Sequence, residues 1–421
     1  MYAEVISIGD EMTTGQRLDT NSQWLSQRLG EIGVRVLFHT TVGDELESHV
    51  QVYRQAFERA DVVLSTGGLG PTADDLTRQA LADVLGVDLV LDEPAWQHIQ
   101  QLFAHRQREM PPRNVVQAMF PCGSRVIPNP HGTAPGIVAE IPRPGRSPVR
   151  VFALPGVPAE MREMWDQTVA PELLSALGGN RRIIRHRCLR CFGVGESDLE
   201  RMLPDLIRRG RTPTVGITVN QATITLRITA EGESPQACFA AMEPTVATIR
   251  QCLGDLIFGQ EEDELQHAVV RQLAKQGQTL ATAEYKSGGL LAYWLSEADP
   301  AGGVYRGGSV VHDETVLARL AGLAPAAILA ASKSTAEVVC GMAASCRELY
   351  QTDYALALGP FPSSDSATSR PGDVHYALAG PHGTEAKATL FAGHPDILRA
   401  RTVKATLNFL RLKLKETERW I

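Results

Sequence analysis

The chain lacks any apolar run long enough to span a bilayer. Its longest, such as Asp61–Ser65 with a Val-Val-Leu centre, are strand-sized and far below the roughly 20 residues a membrane helix needs, so no membrane partner is expected. The opening Met1-Tyr2-Ala3-Glu4-Val5-Ile6-Ser7-Ile8-Gly9-Asp10 lacks the basic start and long apolar core of a secretory signal, and a cytoplasmic location is the expectation. A basic surplus is missing too: 41 Lys and Arg face 48 Asp and Glu, a net charge of −7. Binding a nucleic-acid backbone needs a clear excess of positive charge or a basic face, so no nucleic-acid partner is expected. Seven scattered cysteines, an odd number, do not make a disulfide framework. Cys188-Leu189-Arg190-Cys191 has the C-x-x-C spacing but no second pair or thioredoxin-like context, and it lies in an alternating, strand-like stretch. What is present is ordinary globular composition, 43% apolar and 21% charged, over 421 residues. At about 150 residues per domain that length suggests two or three domains.

Strands and helices alternate in the first third. Val5–Ile8, Val34–Phe38 and Asp61–Thr66 read as strands; Asn21–Leu29, Glu45–Arg59 and Asp75–Leu85 read as helices. This alternation predicts a doubly wound α/β domain with a parallel sheet, whose ligands bind beyond the carboxyl ends of the strands. After Pro171, Arg182–Arg190 and Ala222–Ala230 alternate around a helix at Glu196–Arg208, and another helix spans Pro235–Cys252, making a small α+β module. Its basic residues Arg181, Arg182, Arg185, Arg187 and Arg190 read as a solvated strand face. A third, α/β unit opens with a helix at Glu264–Gln276 and ends in one at Asp396–Glu416; Pro360–Pro371 reads as a polar loop. The expected division is 1–172, 173–257 and 258–421.

The strongest local motif is Thr66-Gly67-Gly68-Leu69-Gly70-Pro71-Thr72-Ala73-Asp74-Asp75-Leu76-Thr77-Arg78. A strand running into glycines and then a helix lets backbone N–H groups approach an anion beside the positive end of the helix dipole. Thr72 and Asp74 suit helix N-caps, but adjacent aspartates exceed what capping needs. Carboxylates beside a phosphate loop suit a hard divalent cation bridging to phosphate oxygens. Gly9-Asp10-Glu11, Asp19-Thr20-Asn21, Val42-Gly43-Asp44, Asn129–Gly136 (with Gly132 and Thr133) and Leu154–Met161 (with Glu160) fall at further element ends expected on the same rim.

These segments resemble the CinA (competence/damage-inducible) family over essentially the whole chain. The resemblance implies an N-terminal domain similar to MoaB/MogA-type molybdopterin-binding domains, a KH-like middle module and a CinA C-terminal domain, assembled as a homodimer. No G-x-x-G nucleic-acid clamp occurs in the middle module, where Gly193-Val194-Gly195-Glu196-Ser197 fits the family pattern. For the N-terminal domain the resemblance implies an ADP-ribose pyrophosphatase dependent on a divalent metal, Mg or Co, that yields AMP and ribose 5-phosphate. On that basis Asp74 and Asp75 are the expected metal-side groups and Asp44 or Glu11 their helpers. Gly67, Gly68 and Gly70 form the expected phosphate cradle, with Thr72, Asp10, Asn21, Gly132, Thr133 and Glu160 as further substrate contacts. A pterin- or nucleotide-binding protein without catalysis is the alternative.

Family members active as nicotinamide-nucleotide (NMN) amidohydrolases carry a serine nucleophile and a lysine base in their C-terminal domain. Here the matching segments read Ala283-Glu284-Tyr285-Lys286-Ser287-Gly288-Gly289 and Gly308-Ser309-Val310-Val311-His312-Asp313-Glu314-Thr315-Val316-Leu317. Tyr285 stands at the nucleophile position, and His312 and Leu317 replace the family's tyrosine and lysine. A leucine accepts no proton, and a tyrosine hydroxyl is a poor substitute for an activated serine. NMN deamidation is therefore not expected unless a displaced pair drawn from Lys286, Ser287 and Lys333 replaces the lost one.

Overall fold

The computed structural model describes residues 1–178, 182–203, 205–208, 210–323, 335–361, 372–391 and 394–418. Arg181, Lys333 and most of the polar loop at 360–371 lie outside the described residues. The chain forms two compact units, Met1–Arg185 with Ala230–Ala240, and His186–Thr229 with Ala241–Ile421.

The first unit is built on a six-stranded sheet of β1 (Tyr2–Ile8), β2 (Arg35–Val42), β3 (Val62–Thr66), β6 (Arg125–Ile127), β7 (Gly136–Arg143) and β8 (Arg146–Leu154), ordered β2-β1-β3-β8-β7-β6, with β4 (Leu89–Leu91) and β5 (Met119–Pro121) forming a separate two-stranded sheet. Strand residues alternate between two cores, as a two-residue side-chain period requires. Ala3, Val5, Val62, Leu64 and Phe152 pack with Leu25 and Leu29 on one face. Ile6, Ile8, Val63, Val151 and Ala153 pack with Tyr53, Phe57 and Leu81 on the other. The helices carrying those partners, α2 (Thr20–Glu31), α3 (Leu46–Arg59) and α4 (Thr77–Leu85), follow the short α1 (Asp10–Thr13). The domain is doubly wound, but its sheet is mixed. β1 pairs parallel with β2 and β3, and β3 with β8, whereas β8–β7 and β7–β6 are antiparallel. The cause is local: only the tight turn at Pro144–Gly145, with Gly145 at φ +67°, joins β7 to β8, and such a turn permits only antiparallel pairing.

The middle module forms a sheet ordered β10-β11-β9-β12 from β9 (Ile183–Cys191), β10 (Thr214–Asn220), β11 (Thr223–Gly232) and β12 (Ile257–Gln260). β10, absent from the expected strands, alternates apolar residues at Val215, Ile217 and Val219, of which only Val215 is buried. It is held as an edge strand by the two-residue turn Gln221–Ala222, both at positive φ. Its helix ends at Met202, two residues ahead of Pro204 in the sequence, earlier than periodicity suggests. The described arginines of β9 do not make a freely solvated face. Arg187 pairs with Glu243 at 2.8 Å, and Arg190 with Glu262 at 3.0 Å. Cys188 and Cys191, three apart on a strand, face opposite ways, and burial pushes the Cys191 thiol up to about 12. That suits packing, not redox chemistry.

The C-terminal sheet is ordered β14-β13-β15-β16-β17, from β13 (Leu280–Tyr285), β14 (Tyr305–Val311), β15 (Tyr354–Leu358), β16 (Gly372–Gly380) and β17 (Gly383–Phe391). One face is paved with Ala281, Ala283, Ala355, Ala357, Ala377 and Ala379, against Val338, Val339, Met342 and Ala343 of the helix Ala336–Tyr350. Leu280, Leu356 and Leu378 face the other core, shared with the helices Leu265–Gln276 and Pro395–Glu418. Among the described residues no helix is long and apolar enough to cross a membrane.

Candidate functional site: a carboxylate-lined cleft at the sheet rim

Because β1, β2, β3 and β8 are mutually parallel, the loops that follow them meet at one rim. A cleft of about 400 Å³ lies there. Ten of the sequence-selected residues line it: Glu11, Asn21, Asp44, Gly67, Gly68, Gly70, Asp74, Asp75, Thr133 and Glu160. Asp10, Thr72 and Gly132 are not part of that lining but lie beside it, next to Asp44, Asp75 and Glu160. Asp10 and Asp44 brace each other, the Asp10 N–H donating to Asp44 Oδ2 and the Asp44 N–H to Asp10 Oδ1, both at 3.0 Å. Gly132 lets its loop approach Glu160, since a Cβ there would lie 2.4 Å from Glu160 Oε2. The buried Asn129 fixes this corner, donating to Glu160 Oε2 at 2.7 Å and accepting from the Gly132 N–H at 2.8 Å. Asn21 ties the end of β3 to the elbow after β8, donating to Thr66 Oγ1 at 3.1 Å and to the Gly156 carbonyl at 2.9 Å.

The glycine loop is shaped from behind. Thr77 Oγ1 donates to the Gly67 carbonyl at 2.9 Å, and the Thr77 N–H to the Gly68 carbonyl at 3.1 Å. Arg78 Nη2 donates to the Leu69 carbonyl at 2.8 Å, with Gln117 Nε2 at 3.4 Å on the same oxygen. Burial pulls the Arg78 guanidinium down to about 10, with the nearby Asp75 charge opposing. Asp75 Oδ1 accepts from the Gly70 N–H at 2.7 Å, and Oδ2 from the Thr72 N–H at 2.8 Å and from the Thr72 hydroxyl. Two expectations change accordingly. The Gly70 amide serves Asp75 and not an anion, and Asp75 is a loop scaffold whose oxygens are already engaged. Thr72 and Asp74 do not cap α4, which begins at Thr77 with Leu76 in the N-cap position.

The acidic side of the cleft divides electrically. Burial pushes the Asp44 carboxyl above its ordinary range, and the Asp10 and Asp74 charges add to this against the lowering Asp10 N–H. Asp74 is held below its ordinary range, first by the Thr72 hydroxyl that it shares with Asp75, then by its own backbone N–H, with Arg113 contributing. His49 supports the loop below Asp44 through a 2.8 Å bond between Nε2 and the Gly43 carbonyl. Among the described residues no three His, Cys, Asp or Glu side chains converge to hold a metal ion by themselves. Sequence reasoning missed Arg17 and Gln117 in the lining. Arg17 sits in a polar loop without periodicity, and Gln117 lies 48 residues from Leu69, whose carbonyl it supports, so neither carries a local signal.

In the C-terminal unit Tyr285 and Leu317 are both fully buried members of one apolar cluster, while His312 is exposed. Ser287 Oγ donates to the buried Glu284 at 2.5 Å, and Glu284 also accepts the Ala292 N–H at 2.7 Å at the start of the helix Leu290–Ala298. Lys286 Nζ lies instead 4.0 Å from Glu314 and 5.1 Å from the Tyr285 ring centroid. Ser287 is thus committed to a helix-capping carboxylate and not to a lysine.

Residues 4–175 match the family described as "Probable molybdopterin binding domain", residues 186–259 the "Damage-inducible protein CinA KH domain", and residues 262–414 the "CinA C-terminal domain". A "CinA-like protein" of Gloeobacter violaceus is 36% identical over 416 residues, covering 98% of this chain and 96% of the relative. The chain belongs to the CinA family. A "Putative competence-damage inducible protein" of Caldanaerobacter subterraneus is 34% identical over 418 residues, covering 99% of both chains. Among solved structures, CinA from Thermoplasma acidophilum is 34% identical with a TM-score of 0.37, covering 41% of this chain and 97% of that one.

Proposed function

We propose that the N-terminal cleft of this CinA-family protein hydrolyses a nucleoside diphosphate ester of the ADP-ribose type to AMP and ribose 5-phosphate, with a divalent cation, Mg or Co. The supporting observation is that one small cleft joins a glycine loop, whose Gly68 and Leu69 N–H groups have no acceptor among the described residues, to two aspartates pushed apart in acidity. Carboxyl groups shifted in opposite directions are the mark of a charged group and a proton acceptor working side by side. The residues fit a cation held jointly with substrate. Asp74 stays ionised, and Mg²⁺ commonly takes one or two carboxylates and completes its shell with phosphate oxygens and water. Such a cation, when bound, neutralises the diphosphate and acidifies a water.

The chain's own groups supply the rest. The Gly68 and Leu69 N–H groups bind phosphate oxygens, Arg17 adds positive charge to the rim, and Asp44 accepts the proton of the attacking water. Asp75 holds the loop in shape and is set aside as a ligand. The three-part division at 1–172, 173–257 and 258–421 and a homodimeric assembly belong to the same reading. AMP release from ADP-ribose by the purified full chain, with and without a chelator, tests it. Cation-dependent release is expected; tight binding without release would leave a nucleotide-binding protein that is no hydrolase.

In the same reading the C-terminal domain no longer deamidates NMN, because Tyr285 and Leu317 are packed away and Ser287 serves Glu284. Incubation with NMN is expected to release ammonia at the rate of a protein-free control. Sustained release above that control would restore the domain to the enzymes.

A further inference from the structure

The trans peptide group is planar, so the N–H of one residue points opposite to the C=O of the residue before it. The Gly67 carbonyl is bonded by Thr77 Oγ1 and the Gly68 carbonyl by the Thr77 N–H. The N–H groups of Gly68 and Leu69 must therefore point away from Thr77, and among the described residues neither has a protein acceptor. The next peptide group behaves differently: Arg78 takes the Leu69 carbonyl, and the opposing Gly70 N–H lands on Asp75. One residue thus sets the direction of the Gly68 and the Leu69 N–H groups alike.

We infer that Thr77 is the positioning residue of the anion cradle, fixing the two peptide planes whose Gly68 and Leu69 N–H groups receive phosphate. The inference rests on reading the cleft as a phosphate site. Its physical basis is the freedom of the glycines. Gly67 at φ +110° and Gly68 at φ +65° occupy backbone regions that glycine enters and leaves readily. Without the hydroxyl, the plane between them is free to turn and present the Gly67 oxygen where its N–H stood, which repels an anion. The buried Thr77 side chain is the lock on that plane. Its hydroxyl touches no substrate; it acts through the loop.

The test is inorganic pyrophosphate binding to the full chain by calorimetry, read together with hydrogen exchange of the segment containing Gly68 and Leu69. Wild type is expected to bind, and pyrophosphate to slow exchange there. Thr77→Val keeps the shape and removes the hydroxyl; it is expected to weaken binding about tenfold or more and to abolish the protection. Thr77→Ser keeps the hydroxyl and should stay within about threefold of wild type, with protection retained. Thr77→Ala takes the place of the valine variant if that protein does not fold. Equal binding and equal protection in wild type and Thr77→Val, or in the alanine variant used in its place, would overturn the role of Thr77 and leave the phosphate reading standing. Neither binding nor protection in wild type would overturn the phosphate reading and this inference with it.

Discussion

Replacing Asp44 by Asn is expected to lower the turnover of ADP-ribose about a hundredfold or more while leaving its binding within about threefold. A general base contributes on that scale, and a defect confined to kcat marks an interaction made in the transition state. The choice of Asp44 over its neighbours follows from its surroundings. Burial and two nearby carboxylates raise its proton affinity, whereas the Thr72 hydroxyl and backbone N–H keep Asp74 charged. The sign for pH is fixed by the same facts. A raised carboxyl protonates earlier on acidification, so activity declines from a higher pH than an ordinary aspartate would set. Single-turnover rates of wild type and Asp44→Asn across the acid range check both statements. A variant with wild-type turnover removes Asp44 from the chemistry.

The second large effect is on stability. Gly67→Ala is expected to cost about 3 kcal/mol or more, against about 1–2 kcal/mol for Gly86→Ala. Both glycines have positive φ, +110° and +67°, so both substitutions carry backbone strain. They differ in what the new methyl meets. At Gly86 nothing lies within 4 Å, while at Gly67 a Cβ would stand 2.3 Å from the Ile8 carbonyl oxygen. That oxygen belongs to the end of a central strand and cannot swing aside as a side-chain tip can. Urea midpoints for the two variants measure the difference. Equal midpoints would mean that the close approach of the loop to β1 adds nothing beyond strain.

Much of this was legible in the sequence, for reasons that differ by element. β1 and β3 show because a strand buried on both faces is a continuous apolar run, and α3 because its apolar residues recur at helical spacing. β10 was equally legible, through Val215, Ile217 and Val219 at two-residue spacing, although only the first of them is buried. The antiparallel half of the first sheet was hidden because a hairpin at Pro144–Gly145 decides direction, and strand composition does not. At the rim, chemistry-bearing residues were found wherever they ended a strand. Their division of labour was not, because an aspartate that holds a loop and one that faces the cleft look alike in sequence. Asp75 became distinguishable from Asp74 only when the Gly70 and Thr72 N–H groups were seen to end on it.

The burial of Tyr285 acts as a ratchet on the C-terminal domain. Placing a serine there by one codon change would remove a ring packed among Val311, Leu317 and Val338. By analogy with other large-to-small changes of buried aromatics this costs about 3–5 kcal/mol, a substantial share of the 5–15 kcal/mol that keeps a domain folded. On the proposed reading a base would still be absent, since position 317 faces the same apolar interior. A serine nucleophile at 285 therefore comes with a weakened protein, and repacking of the neighbours must come first.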